Sequence, residues 1–293
     1  MIMKKIVQRL LIFFIGLPFI LVIVLVLPWY HHLALNLLVV IFSALGAAEF
    51  SVMLAQKKIS ILKTEAAILG ALPPLATLLT MTLNLNILLV PAVIAGAVCW
   101  LVVSRIFARG DTIENFLGRL TAGFAALLYP GMLLAWLVRM SHWEQNANSI
   151  ILTFLAVVFC TDGTAWAAGK LFGKGNQGIV PVSPHKSIAG FIGGACASVI
   201  VGTGAVILFP DFFNPRFHTL IGNPVIAGAV LGLLTGAAAT LGDLGESAIK
   251  RSSGLKDSGS LIPGRGGVLD SVDSISLAAP VFYLAYVLLF VPH

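Results

Sequence analysis

Charged residues are scarce in this sequence. Asp, Glu, Lys and Arg make up 10% of its 293 residues, where soluble domains carry about 25%. So few charges would cover little of a water-exposed surface. The shortage excludes an ordinary water-soluble enzyme, a disordered chain and a coiled coil. Cysteine is rarer still. Cys99, Cys160 and Cys196 lie far apart in apolar sequence with no C-x-x-C pair, so no disulfide framework is legible and they read as small hydrophobes. The alternation of barrel strands is missing too, as the runs LIFFIGLPFILVIVLVLP and NLLVVIFSALGAA illustrate. There is no G-x-x-x-x-G-K-[ST] pattern and no G-x-G-x-x-G after a strand, so an ATP-hydrolysing phosphate loop has no support.

Apolar residues are abundant, at 58%. They gather near 10–28, 33–55, 66–82, 87–104, 120–138, 149–169, 188–209, 223–242 and 275–291. Each run is long enough, or nearly so, to cross a bilayer as a helix, the conformation that satisfies its own backbone in lipid. The expected fold is therefore all-α: a polytopic membrane protein of about nine transmembrane helices with no soluble domain. The first run follows Lys4, Lys5 and Arg9 and lacks an Ala-x-Ala exit, so it reads as a retained span. Pro73-Pro74 makes the third boundary weak, although bundle neighbours can rescue carbonyls that proline frees. With the N-terminus inside and nine spans, sixteen of the eighteen basic residues fall on the cytoplasmic side and only Arg139 and Arg216 outside. The net charge of +6 is thus mostly a topology signal, and no nucleic-acid partner is expected.

Polar residues divide the chain into an N-terminal region of helices one to five, 1–155, and a C-terminal region of helices six to nine with their loops, 156–293, where any catalytic site is expected. In the first, Glu49 is the one acid deep in a span. Its place near a cytoplasmic end reads as a snorkelled structural carboxylate. In the second, Gly190, Gly193, Gly194, Gly228, Gly232 and Gly236 are a packing signal.

The segment 242–274 is the least lipid-like. It holds five of the twelve acids, Asp243, Glu246, Asp257, Asp270 and Asp273, and four bases, Lys250, Arg251, Lys256 and Arg265. If helix eight continues past Asp243, then Asp243, Glu246 and Lys250 share a face at i, i+3 and i+7. Asp270 and Asp273 likewise share a face at the start of helix nine. Two carboxylate pairs joined by a Gly-rich turn suit Mg2+, which takes oxygen ligands and keeps waters and phosphate oxygens. The adjacent bases suit a polyphosphate. The bland alternative is a salt-bridged loop, which a chain so poor in charge has little reason to carry. A second segment, 160–194, contains Asp162, Lys170, Lys174 and the run Ser183-Pro184-His185-Lys186-Ser187 just before helix seven. Serines, backbone N–H groups and a lysine at a helix start suit a phosphate.

These residues resemble the phosphatidate cytidylyltransferase family, also called CDP-diacylglycerol synthases. Ser247, Lys250-Arg251, Lys256-Asp257, Gly259, Pro263-Gly264, Gly266-Gly267, Asp270 and Asp273 stand at the spacing of that family's C-terminal signature. Gly242-Asp243-Leu244, Ser274, Ala279-Pro280 and Phe172-Gly173-Lys174 are similar as well. The likeness covers about 160–282, and the N-terminal half agrees mainly in hydropathy. Three positions depart from the pattern: Arg265 replaces a histidine, Ser271 an arginine and His185 a glycine. Arg265 is the fixed charge that could replace the guanidinium missing at Ser271. The residues alone point only to a polyphosphate and a divalent metal; CTP and phosphatidate come from the resemblance.

The resemblance implies transfer of a cytidylyl group from CTP to phosphatidate, with pyrophosphate leaving. Asp243, Lys250, Arg251, Asp270 and Asp273 are the expected catalytic residues. Asp243, Glu246, Asp270 and Asp273 are the expected metal ligands, for one or two Mg2+ ions or Mg2+ with a second cation. Asp162, Ser183, Lys186, Ser187, Lys256, Asp257 and Arg265 are expected at the nucleotide. The implied setting is a bacterial inner membrane, with N-terminus and active site cytoplasmic and a homodimer as the candidate assembly. The rivals are a CTP-dependent enzyme on another lipid or polyprenyl phosphate or alcohol, a transporter and a non-catalytic membrane paralogue. No counterpart of 242–274 occurs in the first half, which argues against a transporter's paired repeats.

Overall fold

The computed structural model describes residues 15–16, 18–104, 106, 115–143, 147–213 and 221–290. Its long helices are α1 (Trp29–Ala55), α2 (Lys63–Thr82), α3 (Leu89–Val103), α4 (Phe116–Met140), α5 (Ala147–Phe172), α6 (Ile188–Leu208), α7 (Pro224–Ser252) and α8 (Leu269–Phe290). Among the described residues, strand-like pairing is limited to the isolated bridges Gln177–Ser187 and Ile262–Gly266. The fold is all-α, as expected. Seven of these helices, all except α3, are long and apolar enough to cross a membrane. The expected count of nine is thus approximate. At 15 residues α3 reaches only roughly 22 Å, less than the ~30 Å of a hydrocarbon core. Residues 18–26 of the expected first span are helical, while 10–14 and 17 lie outside the described residues. So do Lys4, Lys5, Arg9, Arg105, Arg109 and Arg216 of the basic distribution.

The chain forms two compact units, Met1–His142 with Ile249–Val272, and Trp143–Ala248 with Asp273–His293. In the first, α1 to α4 pack around Ala47, Ala66, Leu69, Ala97, Leu101, Ala126 and Leu127. The many alanines let the helices approach closely, which is how helices associate where lipid removes the hydrophobic drive. Helix α2 runs unbroken through Pro73-Pro74. Pro74 has no N–H for the carbonyl of Gly70, and the Ser43 hydroxyl of α1 donates to that carbonyl at 2.6 Å. Here a neighbour's hydroxyl rescues a carbonyl that proline freed. Pro130 is accommodated by a π-helical turn at Leu127–Met132 inside α4.

In the second unit several of the contacts between helices are made by backbone. A Cβ on Gly190 would lie 2.8 Å from the carbonyl oxygen of Ala165 in α5, and one on Gly202 would lie 2.8 Å from Cα of Gly232 in α7. The glycines read as a packing signal do pack helices. A ladder of rings, Phe154 on Phe282 and Phe213 on Tyr286 and Phe290, fills the far end of this unit. Large apolar side chains such as Leu37, Ile41, Ile192, Ile200 and Leu208 stand exposed, as lipid contact requires.

Candidate active site

Helix α7 continues past Asp243 to Ser252, so Asp243, Glu246 and Lys250 do occupy one unbroken helix. It stops at Gly254, whose φ of 75° is left-handed. The N–H of Leu255 bonds to the carbonyl of Lys250, and that of Gly254 to Arg251. This is a Schellman termination, for which glycine lacks the Cβ penalty. The chain then turns at Ile262-Pro263-Gly264-Arg265, where the N–H of Arg265 bonds to the carbonyl of Ile262 and Gly264 has φ 78°. Proline followed by left-handed glycine is a type II turn. Helix α8 begins at Leu269, placing Asp270 in its first turn.

Within the first unit, Asp270 organises this loop. Its Oδ1 receives Lys250 Nζ at 2.5 Å. Its Oδ2 accepts from the N–H and the hydroxyl of Ser258, both at 2.8 Å, and from the N–H of Gly267 at 2.7 Å. Both side chains of the ion pair are nearly buried, at 11% and 7% exposure. A side chain at Gly266 would strike the Asp270 carboxylate.

The loop has a second carboxylate anchor that the sequence reading did not assign to the site. Glu49 in α1 accepts from the N–H of Val268 at 2.9 Å through Oε1. Through Oε2 it accepts from the N–H of Leu269 at 3.0 Å, and the Ser258 hydroxyl, whose one proton it shares with Asp270, lies 3.0 Å away as well. Instead of snorkelling, Glu49 binds the N-terminus of α8, where free N–H groups and the helix dipole attract an anion. The available signal was its isolation as the one acid deep in a span. Ser258 carried no signal, standing at a variable position of the recognised pattern.

The second unit holds another lysine–carboxylate pair. Lys186 Nζ lies 2.7 Å from Oδ2 of Asp243, with the side chains 25% and 33% exposed. Ser187, expected at a phosphate, caps α6 by accepting the N–H of Gly190 at 3.1 Å and is buried. Ser183 lies in the preceding turn, its carbonyl accepting the N–H of Lys186. A Cβ on Gly242 would lie 2.5 Å from the backbone carbonyl of Asp273, so Asp243 and Asp273 sit near an α7–α8 contact in this unit. Oδ1 of Asp273 accepts the N–H of Ser274 at 2.6 Å. Glu246 is fully buried, and Asp162 in α5 is half-buried.

Arg251, Lys256, Asp257 and Arg265 are exposed. Arg251 donates to the carbonyl of Leu255. The hydroxyl of Ser271 turns back to the carbonyl of Gly267. Among the described residues, no three or more His, Cys, Asp or Glu side chains form a group that could hold a metal ion. Two of the four expected ligands, Asp243 and Asp270, are each engaged by one lysine. This suits an ion held by one or two carboxylates together with substrate phosphates, the usual magnesium arrangement, rather than an all-protein cage.

The cytidylyltransferase family pattern matches residues 7–289, extending the resemblance into the N-terminal half. The chain is 36% identical over 208 residues to a phosphatidate cytidylyltransferase of Haemophilus influenzae, covering 69% of each chain. It is 35% identical over 187 residues to one of Synechocystis, covering 61% of this chain and 59% of that one. It is 33% identical over 187 residues to one of Mycobacterium leprae, covering 64% and 55%. With nearly its whole length matched, the chain belongs to the cytidylyltransferase family.

Proposed function

We propose that this membrane enzyme transfers the cytidylyl group of CTP to phosphatidate, releasing pyrophosphate and forming CDP-diacylglycerol. The observation that carries the reading is the loop 255–270. Its signature residues hold a nearly buried Lys250–Asp270 pair on the backbone that opens α8, within a chain matched to the family over residues 7–289.

In this reaction a phosphate oxygen of phosphatidate attacks the α-phosphorus of CTP. The new P–O bond forms as the bond to the β-phosphate oxygen breaks, and pyrophosphate leaves with that bonding pair. The second pKa of a phosphate monoester is about 6, so the nucleophile is largely ionised at neutral pH and no side chain has to remove a proton. The difficulty is bringing two anions together in line. Lys186, Lys250, Arg251, Lys256 and Arg265 are the cations that offset this repulsion and orient the phosphates. Asp243, Glu246, Asp270 and Asp273 are the carboxylates that would hold Mg2+, and the ion would supply electrophilic charge to the phosphates. Asp162 and Asp257 orient the nucleotide. Lys186 and Lys250 now bond to carboxylates, and Lys186, in the more exposed pair, can exchange its partner for a phosphate oxygen. The split of basic residues supports placing the N-terminus and these loops in the cytoplasm, across a bacterial inner membrane.

The test is purified protein in detergent with labelled CTP, Mg2+ and a panel of lipid phosphates. Formation of the CDP-lipid with stoichiometric pyrophosphate is expected for phosphatidate. Release of CDP with a phosphorylated lipid would identify a CTP-dependent kinase instead, and no turnover would favour a silent paralogue.

A further inference from the structure

We infer that Glu49 is a positioning residue for nucleotidyl transfer: from the N-terminal half it locks the signature loop to the start of α8 and so fixes Asp270. The inference rests on the proposed cytidylyl transfer. Its basis is the bonding described above. The Glu49 carboxylate accepts from two consecutive N–H groups, Val268 and Leu269, immediately before Asp270. It also accepts from Ser258, whose backbone N–H is bonded to Asp270.

Ser258 couples the two acids. Its Oγ accepts the N–H of Asp270 at 3.2 Å and has one hydroxyl proton, in reach of both Oε2 of Glu49 and Oδ2 of Asp270. A shift of Glu49 is therefore felt at Asp270 through two routes, the helix backbone and the shared hydroxyl. The glycines of the loop fit this role. A Cβ on Gly259 would lie 2.5 Å from Oε1 of Glu49, and one on Gly267 would strike Oε2. Glycine at 259 thus leaves room for a carboxylate that arrives from more than 200 residues away in sequence, and glycine at 267 for that carboxylate and the Ser258 hydroxyl together. Without Glu49, the N–H groups of Val268 and Leu269 lose their acceptor where both residues are buried. The start of α8 is then held only by the bonds of Asp270 to Lys250, Ser258 and Gly267.

The experiment compares wild type with Glu49→Ala, Glu49→Gln and Gly259→Ala, alone and combined, measuring kcat and KM per folded molecule after size exclusion in detergent. Turnover by wild type comes first, since its absence would reject the proposed reaction and not this inference. Glu49→Ala is expected to lower kcat about 100-fold, the effect of a displacement of about 1 Å in a positioned group. KM for CTP should change less than threefold. Glu49→Gln keeps one acceptor oxygen and should recover about a tenth of wild-type kcat. Hydrogen exchange should rise at Val268 and Leu269 in the Ala variant and leave α5 unchanged. Gly259→Ala should impair wild type yet add little in the Glu49→Ala background, a non-additive cycle. Should Glu49→Ala fail to accumulate, kcat and hydrogen exchange at Val268 and Leu269 in the Gln variant decide, and Gly259→Ala is combined with Glu49→Gln. Wild-type kcat in Glu49→Gln, or additivity between positions 49 and 259, would overturn the assignment.

Discussion

The two units hold their lysine–carboxylate pairs by different means. In the first, Lys250–Asp270 is nearly buried, and its carboxylate also accepts three further hydrogen bonds from Ser258 and Gly267. In the second, Lys186–Asp243 is a quarter to a third exposed, and its surroundings are set by glycine contacts between helices. A buried charge that loses its partner is left uncompensated, whereas an exposed one recovers water. The first pair is therefore part of what folds the loop, while the second is free to exchange partners at little conformational cost. Function and stability should separate in the second unit and fall together in the first.

The largest expected effect breaks the buried pair. Asp270→Asn keeps the shape of the side chain but leaves Lys250 without a counter-charge. Destabilisation of about 3–5 kcal/mol is expected, with turnover at least about 1000-fold down. Thermal unfolding in detergent alongside the CTP assay checks both, and a fully stable, fully active variant would erase the contrast between the units. Asp243→Asn should show the opposite profile. Stability should change by no more than about 1 kcal/mol, while kcat falls about 100-fold at saturating Mg2+. Equal losses of stability in these two variants would mean that burial is not what distinguishes the pairs.

Gly232→Ala addresses the packing that frames the second pair. Its new methyl would press on the Ser198 carbonyl, and an overpacked crossing costs about 1–3 kcal/mol. A lower Tm with kcat retained per folded molecule is expected. The smallest effect belongs to Arg265→His. Arg265 is exposed on the Pro-Gly turn, so kcat/KM for CTP should drop only about tenfold. Adding Ser271→Arg should recover part of that loss. A double variant no better than Arg265→His would show that the two departures from the family pattern do not compensate.

The helices were legible from hydropathy alone, because lipid leaves a spanning backbone few conformations other than a self-bonded helix. Local punctuation has equally local causes, although Ser187 was expected at a phosphate and the structure makes it a helix cap. Gly254, Pro263-Gly264 and Ser187 stand where a helix stop, a type II turn and an N-cap need those residue types, and such needs are met within a few positions of chain. The lysines and aspartates of the site were named from their spacing. Their pairing was not, since spacing does not say whether Lys250 meets Asp243 on its own helix or Asp270 on the next. Glu49 marks the limit most clearly. Its partners are the N–H groups of Val268 and Leu269 and a serine hydroxyl, 209 to 220 residues away. Nearly every residue carries a backbone N–H, so no side-chain pattern marks which ones a distant carboxylate will find. Hydropathy placed Glu49 in a helix near the membrane surface; only the packing of α1 against the start of α8 decided what it holds.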